Sequence, residues 1–192
     1  MDKAVFLDRD GVINEATANK DFYYKKEDIR ILPGVKEALK KIKEKGYRIF
    51  VVTNQPVIAR GIATESEIGA LHLWMNAELG GMIDKFYVCP HHPEMHPDVP
   101  PHAIKYRIAC SCRKPSPGLI LQAAAEFNIN LEGSWLMGDM ASDILAGKNA
   151  GCKTIFIQSE HSVRMIKAAV SAFNETVPDV SAKSLLDAVR YV

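Results

Sequence analysis

Five short, largely apolar runs recur along the chain, at residues 4–7, 48–53, 85–88, 135–138 and 154–157. Each is too short for a buried helix. Apolar residues fill successive rather than alternate positions, as in strands covered on both faces. Between the runs, apolar residues fall at helical spacing. Val35, Leu39 and Ile42 recur among lysines and glutamates until Gly46. Leu71, Trp74, Met75 and Leu79 do the same up to Gly80-Gly81, and Thr64-Glu65-Ser66-Glu67 reads as a capping box that starts that helix. Ser116 as N-cap and Pro117 at the first position open a helix over 119–127. Further helices are predicted over 144–150, 162–173 and 181–191. Strands that alternate with helices predict an α/β fold: three layers, α/β/α, around a central, mostly parallel sheet.

In such sheets ligands gather beyond the carboxyl ends of the strands. Three of the runs end in polar clusters: Asp8-Arg9-Asp10, Thr53-Asn54-Gln55, and Asp139 followed by Asp143. If extended geometry persists past residue 7, the Asp8 and Asp10 side chains point the same way. A divalent cation relieves the repulsion between two such carboxylates, and Asp139 could complete a hard oxygen site suited to Mg2+. One carboxylate can then attack phosphorus to form an aspartyl phosphate. The other can protonate the leaving oxygen and later activate water. The Thr53 hydroxyl and the Lys114 ammonium suit phosphate oxygens. Taken singly, each of these residues reads as well as a helix cap or a solvated charge. Their order at successive strand ends is what points to phosphoryl chemistry.

Composition narrows the setting. The 192 residues carry 24 Lys+Arg against 23 Asp+Glu, a formal net charge of +1. That balance gives no bias toward nucleic acid or a membrane surface. No run approaches the ~20 apolar residues of a bilayer span, and the first residues lack the apolar core of a signal peptide. A cytoplasmic monomer with neither nucleic-acid nor membrane partner is therefore expected. Length and an average composition, 47% hydrophobic and 24% charged, suit one domain over residues 1–192. The stretch 89–117 is long for a structureless loop. It carries Cys89-Pro90-His91-His92 and Cys110-Ser111-Cys112. Cys89, His91, Cys110 and Cys112 make a tetrahedral Zn2+ set, with His91 chosen over His92, and the ion would order the loop. His96 and His102 read as loop surface, and Cys152 as a packed thiol.

The ordered set Asp8-Arg9-Asp10-Gly11-Val12, Thr53-Asn54, Lys114 and Gly138-Asp139 with Asp143 resembles the haloacid dehalogenase (HAD) superfamily over nearly the whole chain. The resemblance implies a Rossmann-like HAD fold with a minimal cap and a zinc-binding loop. It makes Asp8 the nucleophile and Asp10 the acid/base. Mg2+ would sit on Asp8, the Asp10 backbone carbonyl and Asp139. Thr53 and Lys114 would hold the phosphoryl group, and Asp143 would support them from behind. The zinc loop running into Arg113-Lys114-Pro115, and Thr53-Asn54-Gln55 followed by Ile58-Ala59-Arg60-Gly61, are similar to D-glycero-D-manno-heptose 1,7-bisphosphate phosphatases, of the histidinol-phosphate phosphatase-like subgroup. That implies removal of the 7-phosphate of a sugar bisphosphate in heptose biosynthesis for lipopolysaccharide. Asn54, Gln55, Arg60 and Arg113 would contact the substrate.

Some positions depart from that pattern. Pro56-Val57 stand where Ser-Gly is expected, Met140 where a lysine is expected, and the segment between His91 and Cys110 is long. Asp21-Phe22-Tyr23 and the run Gly138 to Asp143 lean toward histidinol-phosphate phosphatases. That substrate, or another small phosphomonoester, stays open. A zinc-stabilised binding module without catalysis is opposed by the presence of Asp8, Asp10, Lys114 and Asp139 together. A DNA 3′-end phosphatase gains no support from the near-neutral charge.

Overall fold

The computed structural model describes residues 1–16, 22–93, 100–159 and 177–192. The helix expected over 162–173, together with Asp21 and His96, lies outside these residues. Six parallel strands form one sheet in the order β3-β2-β1-β4-β5-β6. They are β1 (Ala4–Leu7), β2 (Arg48–Asn54), β3 (Lys85–Cys89), β4 (Trp135–Gly138), β5 (Lys153–Ile157) and β6 (Val180–Ala182). The helices are α1 (Val35–Glu44), α2 (Glu65–Glu78), α3 (Gly118–Phe127), α4 (Ala141–Ala150) and the short α5 (Leu185–Ala188). Strands from both ends of the chain thus share one sheet. Among the described residues, no helix is long and apolar enough to cross a membrane.

The pleat sorts each strand by parity. Val5 and Leu7 of β1, with Ile49 and Val51 of β2, pack against Leu39 and Ile42 of α1 and Met75 of α2. Ala4 and Phe6, with Phe50 and Val52, face the opposite way onto Leu119, Ile120 and Ala123 of α3 and Ala146 of α4. Both faces are buried, so the strands are apolar throughout.

Register then positions the strand ends. Leu7 of β1 lies beside Val51 of β2 and Met137 of β4. The amide of Asp8 continues the ladder, donating to the Met137 carbonyl at 2.9 Å. Asp8, Thr53 and Asp139 therefore emerge within two residues of one level of the sheet.

Helix starts show local chemistry at work. Thr64 and Glu67 form the expected box: the Glu67 amide donates to Thr64 Oγ1 at 3.2 Å, and the Thr64 amide to Glu67 Oε2 at 2.7 Å. At α3, Pro117 is the cap residue and Gly118 the first helical one, one position beyond the expected start. Helix α4 begins at Ala141 rather than Ile144, because Asp143 Oδ2 accepts the Met140 amide at 2.9 Å. The largest correction is at the C-terminus, where a helix over 181–191 was expected. Residues 180–182 instead pair with β5 as an edge strand, Ile155 opposite Val180. Helix α5 starts only after Ser184, whose hydroxyl accepts the Asp187 amide. Sheet pairing outweighs the helical spacing of those first residues.

Phe50 anchors the α3 side of the sheet, with ring centroids 5.6 Å from Phe6, 4.9 Å from Phe127 and 6.0 Å from Tyr87. Phe50→Ala should lower unfolding free energy by about 3–5 kcal/mol in urea denaturation. A loss below about 1 kcal/mol would show that this aromatic cluster is not structurally central.

Candidate active site

The site is built around a buried ammonium. Lys114 Nζ lies 2.7 Å from Asp8 Oδ1, 2.6 Å from Asp143 Oδ1 and 2.8 Å from the Val52 carbonyl oxygen. All three of its N–H donors have an acceptor. Asn54, at the end of β2, holds the loop that delivers it. The Asn54 Oδ1 accepts the Lys114 amide at 3.1 Å, and its Nδ2 donates to the Lys114 carbonyl at 3.1 Å. Both ends of this carboxamide thus bond the Lys114 backbone.

Asp8, Asp139 and Asp143 bring carboxylate oxygens within 4.8 Å of one another, all three residues buried. Two glycines make that approach possible. Gly11 has φ +85°, and a Cβ there would overlap the Asp139 carboxylate. A Cβ at Gly138 would overlap the Asp143 side chain. These steric limits are the physical content of the Asp-x-Asp-Gly and Gly-Asp patterns.

Asp10 does not join Asp8 in the converging carboxylate group as persistent strand geometry would have it. The strand stops at Leu7 and the chain turns at Gly11. The Asp10 carboxylate faces the fully buried Arg9, receiving Nε at 3.0 Å and Nη2 at 2.9 Å. Asn14 Nδ2 and Gln55 Nε2 add bonds of 2.9 and 3.0 Å. Gln55 Nε2 also lies 3.0 Å from Thr53 Oγ1, linking the two strand ends. The Asp10 carboxylate is not among the three that converge within 4.8 Å, although its charge still reaches Asp8.

Crowding sets the electrostatics. Burial, then Asp143 and Asp10, raise the Asp8 carboxyl to about 7 although Lys114 opposes the rise. Burial, then Asp8 and Asp143, raise Asp139 to about 8, against the hydrogen bond from Ser159. Burial alone would lower Lys114, but Asp143 and Asp8 outweigh it and hold the ammonium above its ordinary value. Two carboxyls that resist ionisation beside a third are the donors expected of a hard divalent-cation site. Ser159, whose hydroxyl is 2.6 Å from Asp139 Oδ2, was not among the sequence candidates. Its place two residues beyond β5 was the available signal.

A second cluster stands beside the first. Cys89, His91, Cys110 and Cys112 offer ligand atoms within 4.8 Å of one another. Sulfur–sulfur distances are 3.2, 3.4 and 3.6 Å, and His91 Nδ1 lies 3.2 Å from Cys112 Sγ and 3.8 Å from Cys89 Sγ. These separations are far beyond a disulfide bond of about 2.05 Å. They approach the edges of a tetrahedron with metal–sulfur bonds of about 2.3 Å. Burial pushes the Cys89 thiol up, so holding it as thiolate calls for a cation. Arg113, next to Lys114, donates from Nη1 to the His91 carbonyl at 3.2 Å. Arg60 lies 4.9 Å from the Phe22 ring. His102 is exposed and Cys152 is a buried free thiol, as expected.

Comparison with known proteins places this geometry. A HAD-hydrolase-like family model matches residues 111–188. A D-glycero-beta-D-manno-heptose-1,7-bisphosphate 7-phosphatase from Haemophilus ducreyi is 38% identical, over 99% of this chain and 98% of that protein. A Helicobacter pylori protein of the same name is 42% identical over 79% of this chain and 80% of its own. Among solved structures, the D,D-heptose 1,7-bisphosphate phosphatase of B. bronchiseptica, complexed with magnesium and phosphate, superposes with a TM-score of 0.80. It is 25% identical, covering 98% of this chain and 97% of that one.

The raised carboxyls predict a pH dependence. Folded Asp8 and Asp139, at about 7 and 8, hold protons more tightly than at their ordinary 3.8. Their contribution to stability is full below the unfolded pKa and is lost as pH rises through 7 to 8. Magnesium-free protein should therefore show a falling urea midpoint between pH 5 and pH 9, and added Mg2+ should restore most at the alkaline end. A midpoint that rises over that range without Mg2+ would contradict the assignment.

Proposed function

We propose a reaction for this protein from one premise: the chain belongs to the D-glycero-D-manno-heptose-1,7-bisphosphate 7-phosphatase family of HAD-like phosphatases. It hydrolyses the 7-phosphate of a heptose 1,7-bisphosphate through Asp8. The observation that carries this reading is the Lys114 ammonium, 2.7 Å from Asp8, in a pocket where Asp139 converges on the same carboxylate.

Asp8 and Asp139, with the Asp10 carbonyl, would hold Mg2+. When bound, the ion offsets the carboxylate charge and that of the phosphoryl oxygens. An Asp8 oxygen attacks phosphorus, and the bond from phosphorus to the sugar oxygen breaks. That oxygen takes the proton of the Asp10 carboxyl and leaves as the alcohol. Asp10, now a carboxylate, removes a proton from water. The water oxygen attacks the aspartyl phosphate, the Asp8–phosphorus bond breaks, and inorganic phosphate departs. Lys114 and Thr53 stabilise the transferring group, with Asn54 and Asp143 holding Lys114 in place. Asn54 thereby acts on the loop that carries Lys114. Arg113 and Arg60 are the cations available to the remaining phosphate.

Zn2+ on Cys89, His91, Cys110 and Cys112 would order the loop that carries both Arg113 and Lys114. Cys112 lies two residues before Lys114, so disorder in the cluster reaches the reaction directly.

Steady-state kinetics on the heptose bisphosphate and on histidinol phosphate test the substrate. The bisphosphate should lead by a factor on the order of a hundred or more in kcat/KM, with phosphate released from C7. Parity, or a preference for histidinol phosphate, would overturn the assignment. Asp8→Asn should reduce kcat by about ten-thousandfold or more; residual turnover near that of the unaltered enzyme would point to another nucleophile.

Removing Zn2+ with a chelator, Mg2+ kept in excess, should lower Tm and raise KM for the bisphosphate. Protein found by elemental analysis to contain no zinc, yet to keep full activity and stability, would dismiss the metal loop.

A further inference from the structure

Arg9 and His72 form a buried pair that the reaction as written does not use. His72 is on α2, 4% exposed, and stacks on Phe86 of β3 with ring centroids 4.5 Å apart. Its Nε2 lies 3.1 Å from Arg9 Nη1. A guanidinium can only donate, so Nε2 accepts and Nδ1 carries the hydrogen. Burial and the Arg9 charge push the imidazole down to about 3, which agrees with a neutral acceptor.

Arg9 is 0% exposed. Three of its four other N–H donors go to Asp10 Oδ1 and Oδ2 and to the Tyr23 carbonyl, the last at 2.6 Å. Each Asp10 oxygen accepts two bonds, Oδ1 from Arg9 and Asn14, Oδ2 from Arg9 and Gln55. To carry a proton, Asp10 must give one of these up. The two amides are the bonds free to yield, since Gln55 Nε2 also has Thr53 Oγ1 and Asn14 Nδ2 also has the Glu15 carbonyl. What then aims the carboxyl, through both its oxygens, is Arg9, and Arg9 is itself held by the imidazole on Nη1 and the Tyr23 carbonyl on Nη2.

We propose that His72 is a positioning residue for proton transfer, fixing Arg9 so that the fork holds Asp10 toward the leaving oxygen. The inference rests on Asp10 being the acid of the proposed reaction. It predicts a role for a residue of the outer helical layer that depends on the leaving group. An alkyl phosphate needs a proton on its departing oxygen, whereas a p-nitrophenolate leaves well without one.

Rates on the heptose bisphosphate and on p-nitrophenyl phosphate test it, in His72→Leu, His72→Asn, His72→Gln and Asp10→Asn variants. His72→Leu removes the acceptor; His72→Asn keeps polarity but is too short to reach, and serves if the leucine variant fails to fold. Both should lose about tenfold in kcat on the sugar ester, with KM within about twofold and the aryl ester within about threefold. His72→Gln, whose amide oxygen can accept from Arg9, should recover most of the loss. Equal losses on the two esters, or no loss at all, in folded His72→Leu or His72→Asn overturn the proposal. If Asp10→Asn shows the ester split and the His72 variants do not, the relay alone is wrong. If Asp10→Asn shows no split, the assignment of Asp10 falls, and the relay with it.

Discussion

One buried ammonium conditions the rest of the site. Four carboxylates, Asp8, Asp10, Asp139 and Asp143, gather at the strand ends, with Lys114 and Arg9 as the buried cations bonded to them. Without Lys114, Asp8 and Asp143 would face each other across a dry pocket, a costly arrangement. With it, a surplus of negative charge remains, and that surplus is what a divalent cation balances. Burial first, and then the same surplus, raise Asp8 and Asp139 when no ion is bound. The proposed nucleophile, its proposed metal and the pH response thus rest on one electrostatic arrangement.

Keeping that ammonium in place explains much of the surrounding architecture. Lys114 comes from a loop, not from a strand end, so it lacks the register that fixes Asp8 and Asp139. Asn54 supplies the fixed point, clamping the Lys114 backbone to the end of β2. The thiol–imidazole cluster anchors the loop upstream, and Gly118 begins α3 just downstream, its amide bonded to the Ser111 carbonyl at 3.0 Å. A metal held by that cluster would touch no reacting atom, yet it would bear on the proposed chemistry through the two peptide units between Cys112 and Lys114. Order in a loop this long has to be imported, and a metal is an economical source.

How far the sequence reveals this depends on the range of the interaction. The five apolar runs were legible because burial on both faces leaves a local mark, and the Thr64 box because it spans three residues. Strand β6 was hidden. Three residues at a sheet edge carry little pattern, and their state is decided by pairing with β5. The residue types of the site were legible from their order along the chain. Their partners were less so. Asp10 turning to Arg9 depends on where β1 stops, and Asn54 acting on Lys114 depends on a contact across sixty positions. His72 sits among apolar residues of α2 and offered no local sign that it faces a guanidinium.

The elements that would carry the reaction and those that would meet the substrate differ in how firmly the fold holds them. Asp8, Thr53 and Asp139 stand on neighbouring strands whose register is locked by the core, so their geometry can change only if the sheet does. The cations available to a second phosphate, Arg60 and Arg113, stand on loops, one against Phe22 and the other on the His91 carbonyl. Met140 occupies the position where a further cation was expected, and its amide is already used by Asp143. In the proposed reaction, recognition of the distal phosphate would fall on two loop-borne guanidiniums, one of them tied to the thiol–imidazole cluster. Loops exchange such residues without disturbing a core. A fold of this kind can keep one hydrolytic centre while its substrate drifts, and loss of order in the cluster would affect recognition, through Arg113, as directly as it affects Lys114.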